Sequence, residues 1–415
     1  MKSLLISSDY FPPQVGGISR LMGGITAALG PERVCCLTSQ RVNDIADRED
    51  EDLGVKVYRR PAVFNGKTRF LRGAAWAATI TDIMVSDRPK VVQLATAGEG
   101  PLGLWLRRWL GLPFVVYAHG NEVLNAILES GQKLRLGLQR ADRVVAVSRF
   151  TASLVQKAGV SPDRIEVVHP GCDSERFRPL FPRMDLRQKL LGERYKDKVV
   201  LSVGNLVARK GHDMVLRALP RLRETVPDVT YLIIGEGSYR PQLENLAIAL
   251  GVRNHVVFAG RLAKDLPDIY ALADVFVMPS REQLQECDIE GFGLVFLEAS
   301  ACAKPVVGGR SGGIPDAVAD GLTGMLVDPH DSEEIANALV RLLTDEEFAT
   351  RLGQQGRSWV LERFTWDGVG DKVQGILESV WRERSVGGLH RPACPTDNVG
   401  KTHRSNQQKS VYRLS

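Results

Sequence analysis

Leu4-Leu5-Ile6-Ser7, then Asp9-Tyr10-Phe11-Pro12-Pro13-Gln14-Val15-Gly16-Gly17-Ile18, then a helical pattern over residues 19–29: the chain opens as strand, loop and helix. A short apolar run bounded by turn residues reads as a buried strand. Paired prolines stiffen the loop, and Gly16 and Gly17 let a backbone approach a ligand just before a helix N-terminus. The pattern is not G-x-G-x-x-G, so a dinucleotide fingerprint is absent, and a tight strand-to-helix turn accounts for the glycines as well.

The same alternation runs outward from this unit. Strands are expected at residues 34–37, 55–58, 91–95, 114–118, 144–147 and 165–168, with helical segments at 67–87, 102–110 and 132–141. Such alternation predicts a parallel sheet with helices on both faces, and ligands of such sheets gather at the carboxyl ends of the strands. His119 stands at one such end, directly after Phe114-Val115-Val116-Tyr117-Ala118, which makes it a candidate functional residue. The connector His169-Pro170-Gly171-Cys172-Asp173 and the proline-rich residues 177–182 mark a domain boundary, and alternation restarts at Lys198-Val199-Val200-Leu201-Ser202-Val203-Gly204. The expected organisation is one domain over 1–180, a second over 181–364, a helix over 365–384 crossing back to the first, and a disordered basic tail over 385–415.

Bulk properties narrow the function. The chain has 415 residues, 44% hydrophobic and 25% charged, as in a soluble globular enzyme of two or three domains. No window of about 18 apolar residues occurs, and the N-terminal apolar run is too short for a secretory signal, so a cytoplasmic protein is expected. None of the six cysteines has metal-ligand spacing, which favours reduced thiols. Residues 1–180 carry 24 Lys and Arg against 18 Asp and Glu, a net +6, whereas residues 181–384 carry 25 against 30, a net −5. A basic front half suits an anionic membrane surface, to which Lys67, Arg69, Arg72, Lys133, Arg135, Arg140 and Arg143 on helical segments would contribute; a solvated face is the plain alternative. Nucleic acid is not expected, since these charges form no reading motif. Asp50-Glu51-Asp52 formally contains Asp-x-Asp but lies in a polar surface run, so no metal is assigned to it.

The second half carries most of the chemistry. Asn205-Leu206-Val207-Ala208-Arg209-Lys210-Gly211 lies at a strand-to-helix junction, where two cations and free helix N–H groups suit a phosphate. The strands at 231–234 and 256–259 end in Gly235 and in Gly260-Arg261, where a base or ribose could lie. Glu290-Gly291-Phe292-Gly293-Leu294-Val295-Phe296-Leu297-Glu298 places two carboxylates about two turns apart on a helix expected to begin near Phe292. Both could accept hydrogen bonds from hydroxyls; a capping Glu and a solvated Glu on a buried helix are the alternative.

Together the glycines after the first strand, Asn205 to Gly211 and the Glu-x₇-Glu pair resemble the family 4 retaining glycosyltransferases, over about residues 1–384. The resemblance implies an α/β GT-B fold, two Rossmann-like domains with parallel sheets facing across a cleft, the acceptor on the first and the nucleotide sugar on the second. It implies that Glu290 holds the donor sugar with help from Phe292, Gly293 and Leu294, that Glu298 holds the ribose, and that Arg209 and Lys210 neutralise the diphosphate opposite Gly16 and Gly17. His119 would lie near the transferred sugar, through its backbone carbonyl or a hydroxyl contact. Members often have an arginine where this chain has Asn205, which leaves more of the charge to Arg209. Cations and helix N–H groups would stabilise the leaving diphosphate without a cofactor or divalent metal. Cys287-Asp288-Ile289-Glu290-Gly291-Phe292-Gly293 is similar to bacterial GDP-mannose-dependent α-mannosyltransferases acting on phosphatidylinositol mannosides. The expectation is α-mannosyl transfer to a lipid-linked or polysaccharide acceptor by an enzyme peripheral to the inner face of the membrane. UDP-glucose or UDP-N-acetylglucosamine donors, a nucleotide-sugar epimerase of the same fold, and a non-catalytic sugar-nucleotide-binding module are the alternatives.

Overall fold

The computed structural model describes residues 1–39, 50–51, 53–60, 69–128, 131–262 and 265–387. Two wholly parallel sheets organise them. The first contains β1 (Ser3–Ser7), β2 (Val34–Ser39), β3 (Val57–Arg60), β4 (Val91–Leu94), β5 (Phe114–Ala118), β6 (Arg143–Ala146) and β7 (Ile165–Val167), in the order β3-β2-β1-β4-β5-β6-β7. The second contains β8 (Lys198–Val203), β9 (Val229–Ile234), β10 (Val256–Phe258), β11 (Val275–Met278), β12 (Val306–Gly309) and β13 (Met325–Val327), in the order β10-β9-β8-β11-β12-β13. Every residue of β1, β5, β9 and β11 is buried, because helices cover both sheet faces. In each sheet the strand order reverses beside the first strand, between β1 and β4 and between β8 and β11, and a crevice opens there at the carboxyl ends.

The helices of the first half are α1 (Gly17–Leu29), α2 (Arg69–Ser86), α3 (Gly100–Leu110), α4 (Asn121–Ile127), α5 (Gln132–Arg140) and α6 (Arg149–Lys157). Those of the second are α7 (Met184–Leu191), α8 (His212–Thr225), α9 (Arg240–Ala249), α10 (Leu266–Leu272), α11 (Leu294–Ala301), α12 (Ile314–Ala317), α13 (Ser332–Thr344) and α14 (Glu346–Arg363), and α15 (Trp366–Gly387) ends the described chain. Val369, Val373, Leu377 and Val380 form one apolar stripe on α15 and share a buried cluster with Leu21, Met22, Ile25 and Leu29 of α1. The ring of Trp366 fills the space beside Gly24 and Gly171; a Cβ added there would fall 2.3 and 2.6 Å from ring atoms. The last helix therefore packs on the first.

Several expectations shift. Residues 385–387, assigned above to the tail, continue α15, and residues 388–415 lie outside the described residues. The Asp-x-Asp splits: Asp50 pairs with Arg59 at 2.6 Å, and Asp52 lies outside the described residues, as do Lys67 and the side chains of Arg69 and Arg72. Of the other basic residues, Arg135 donates to the carbonyls of Ala126 and Ile127 and Arg143 pairs with Glu383, so Lys133 and Arg140 supply the exposed charge of that surface. Cys35, Cys36, Cys172, Cys287 and Cys302 are free buried thiols. No helix among the described residues is long and apolar enough to cross a membrane.

Candidate functional site

The crevices of the two sheets meet in one cavity of about 390 Å³. Gly16, Gly17, Arg20, His119, Asn121 and Glu122 line it from the first half, and Asn205, Arg209, Lys210, Glu290, Phe292, Gly293 and Leu294 from the second. Residues singled out at opposite ends of the chain thus share one wall-to-wall space. Glu298 lies one turn deeper and borders an adjoining cavity of about 710 Å³, which shares Arg20 and Leu294 with the first.

Arg209 and Lys210 sit on a single 3-10 turn, Ala208–Lys210, between β8 and α8. Both point at Glu290: Arg209 Nη1 and Lys210 Nζ donate to its Oε2 at 2.7 and 2.5 Å. Arg209 Nε donates to Asp288 Oδ1 at 2.7 Å. Burial alone would raise the Glu290 carboxyl, but Lys210 and Arg209 outweigh it and hold the group below the usual carboxylate range. The carboxylate is therefore ionised at neutral pH, and it and the two largely buried cations neutralise much of their mutual charge.

Helix α11 begins at Leu294 rather than Phe292, because its N-cap Gly293 takes the left-handed φ of 97°. That N-cap offers no side-chain hydrogen bond, so the first N–H groups of α11 open on the cavity beside Glu290. Glu298 lies on the next turn and is buried. It accepts from Arg20 Nη1 of α1 at 2.5 Å and from the Tyr270 hydroxyl of α10 at 2.9 Å. Burial raises its carboxyl above the ordinary value against the pull of Arg20 and Tyr270. Arg20 is a cavity residue that no sequence motif announced. Its one local signal is position, on the first turn of the helix that Gly16 and Gly17 introduce.

A Cβ added to Gly16 or Gly17 would meet no protein atom within 4 Å, so each leaves space open toward the cleft. Gly235 has another role. A Cβ there would fall 1.8 Å from the Gly204 carbonyl oxygen, so this glycine lets two neighbouring strand ends pack, and it lines neither cavity. Arg261 is exposed and also lines neither. The imidazole of His119 faces the Ala95 carbonyl with Nε2 at 2.7 Å. Its own carbonyl oxygen is covered by Gly291, where a Cβ would lie 2.0 Å away. Among the described residues, no group of three or more His, Cys, Asp or Glu could hold a metal ion. Chemically, the arrangement offers cations and helix N–H groups for an anion beside carboxylates that can accept from hydroxyls.

Comparison with known proteins covers both halves. Residues 15–176 match Glycosyltransferase Family 4, and residues 185–359 match Glycosyl transferases group 1. The GDP-mannose-dependent alpha-(1-6)-phosphatidylinositol monomannoside mannosyltransferase of Mycolicibacterium smegmatis is 36% identical over 90% of this chain and 97% of that protein. The GDP-mannose-dependent monoacylated alpha-(1-6)-phosphatidylinositol monomannoside mannosyltransferase of Corynebacterium glutamicum is 31% identical over 91% of this chain and 98% of its own. Among solved structures, Anabaena HepE in complex with UDP and glucose superposes with a TM-score of 0.76 at 22% identity, over 91% of this chain and 100% of that one. With two parallel-sheet domains around one cleft and relatives matched nearly end to end, the chain belongs to the family 4 glycosyltransferases of GT-B fold.

Proposed function

We propose that this enzyme transfers mannose from GDP-mannose, with retention and in α-linkage, to a lipid-linked acceptor related to the phosphatidylinositol mannosides. The observation that carries the reading is the convergence of Arg209 and Lys210 on Glu290 at the mouth of α11. A diphosphate entering there replaces Glu290 as partner of the two cations. Glu290 is then released to accept from the sugar hydroxyls, and Glu298 exchanges Arg20 for the ribose hydroxyls. As the glycosyl–phosphate bond breaks, negative charge grows on the diphosphate. Arg209, Lys210 and the α11 N–H groups stabilise it, so no divalent metal is required. The leaving phosphate accepts the acceptor's hydroxyl proton on the face it vacates. The relatives in Mycolicibacterium and Corynebacterium support the donor and the acceptor class. A peripheral approach to the membrane is supported by the exposed Trp105, Trp109 and Leu110 of α3 and the exposed Leu136 of α5, the helix packed against it.

The test incubates the enzyme with radiolabelled GDP-mannose, UDP-glucose or UDP-N-acetylglucosamine and a membrane lipid extract. Label should enter lipid from GDP-mannose. Transfer from a UDP-sugar alone overturns the donor, label in no lipid overturns the acceptor, and an isomerised nucleotide sugar without transfer indicates an epimerase.

A further inference from the structure

The sequence Cys287-Asp288-Ile289-Glu290 belongs to the second half but docks into the first. Ile289 is only 3% exposed and joins the buried cluster of β4, β5, α4 and α6. A Cβ on Gly120 would lie 3.0 Å from its Cδ1, so the two surfaces meet without a gap. Asn121, the first residue of α4, closes this contact with both ends of its amide. Its Oδ1 accepts from the Ile289 N–H at 2.9 Å, and its Nδ2 donates to Asp288 Oδ1 at 3.0 Å. That same Asp288 oxygen accepts from Arg209 Nε at 2.7 Å. A carboxylate oxygen shared by an amide and a guanidinium is fixed in direction by both. Arg209 Nη1 is spent on Glu290, which leaves Nη2 without a protein partner among the described residues.

We propose that Asn121 is a positioning residue that makes the anion-binding pose of Arg209 conditional on closure of the cleft. When the halves meet, Asn121 grips Asp288 and the Ile289 N–H. Asp288 then holds the guanidinium by Nε, which leaves its Nη groups for the diphosphate once Glu290 is released. With the halves apart, Asp288 loses its amide donor and holds Arg209 less firmly in that direction. An open complex therefore stabilises the leaving group less, and cleavage of the donor without an acceptor is slowed. This role rests on the proposed diphosphate contact of Arg209.

The test compares Asn121→Asp and Asn121→Ala with wild type. Asp keeps the acceptor for Ile289 and nearly the same shape, but turns a carboxylate toward Asp288, with Glu122 beside it on α4 and Arg209 and Glu290 beyond. At pH 8, kcat should fall about tenfold or more, the size of one charge-assisted hydrogen bond, with donor KM within about threefold. At pH 5.5 Asn121→Asp should regain part of its kcat relative to wild type, because two adjacent carboxylates share a proton, whereas Asn121→Ala should not. The radius of gyration in solution, measured by X-ray scattering, should rise in Asn121→Asp at pH 8. A kcat within about twofold of wild type in both variants overturns the proposal. If wild type transfers from no donor, the proposed function fails separately, and scattering still decides the clasp: equal radii for wild type and Asn121→Asp overturn it.

Discussion

Replacing Lys210 by alanine is the sharpest probe of the site, because its effects on turnover and on stability can be worked separately. A cation about 4 Å from the developing charge, at an effective dielectric of roughly 20, contributes about 4 kcal/mol. Single preorganised donors of this kind are worth roughly 3–4 kcal/mol, or about 10²–10³ in kcat. Arg209 remains in Lys210→Ala, so the expected fall in kcat is roughly 10²–10³ rather than more. Stability responds differently. Lys210 is 2.5 Å from Glu290 and both are largely but not fully buried; removing one partner of a fully buried pair costs roughly 3–5 kcal/mol when the other is left alone. Here Arg209 still pairs with Glu290 at 2.7 Å, so a loss of roughly 1–3 kcal/mol is expected. The double variant Lys210→Ala with Glu290→Gln removes the stranded charge and should recover most of that stability without recovering turnover. Initial rates with the cognate donor, alongside urea unfolding of each variant, make the assay. A folded Lys210→Ala enzyme within about threefold of wild-type kcat would refute the reasoning.

Three other expectations are simpler. Burial raises the Glu99 carboxyl from its ordinary 4.5 to about 7, against hydrogen bonds from the Ser8 and Thr96 backbone N–H groups. The folded state therefore holds this proton to higher pH than the unfolded chain. Its contribution, roughly 3 kcal/mol, is full below about pH 4.5 and is lost as pH rises through 7. Glu99→Gln should flatten the fall in urea-unfolding stability between about pH 5 and 8; an unchanged slope contradicts this. A chelator should leave turnover unchanged, and strong inhibition that added Mg²⁺ or Mn²⁺ reverses would show a metal step. Binding to anionic vesicles should weaken at high salt and weaken further in Trp109→Ser, which removes a side chain 69% exposed. Binding insensitive to both changes would place the contact elsewhere.

What the sequence displayed and what it hid divide along one physical line. Strand and helix positions are local, written in runs such as Phe114 to Ala118 whose full burial needs only covered sheet faces. The phosphate-sized turn at Arg209 and Lys210 and the glycines at 16 and 17 were legible for the same reason: each is a strand end followed by a helix start. Gly235 and Arg261 sit at strand ends as well, yet the first serves close packing against Gly204 and the second is exposed, because a strand end does not say which flank of it faces the cleft. Arg20 and Asn121 were invisible. Their partners Glu298, Asp288 and Ile289 lie 278, 167 and 168 residues away, and no periodicity encodes such a pairing.

The packing of α15 on α1 also bears on how the chain is made. Leu21, Met22, Ile25 and Leu29 leave the ribosome early, but the stripe from Val369 to Val380 that covers them comes near the end. Synthesis at roughly 5–20 residues per second separates the two by tens of seconds. During that interval the first sheet can form while one flank of its opening helix stays bare. Chaperone engagement should concentrate on that flank, and a chain stopped just before Trp366 should aggregate although both sheets are complete.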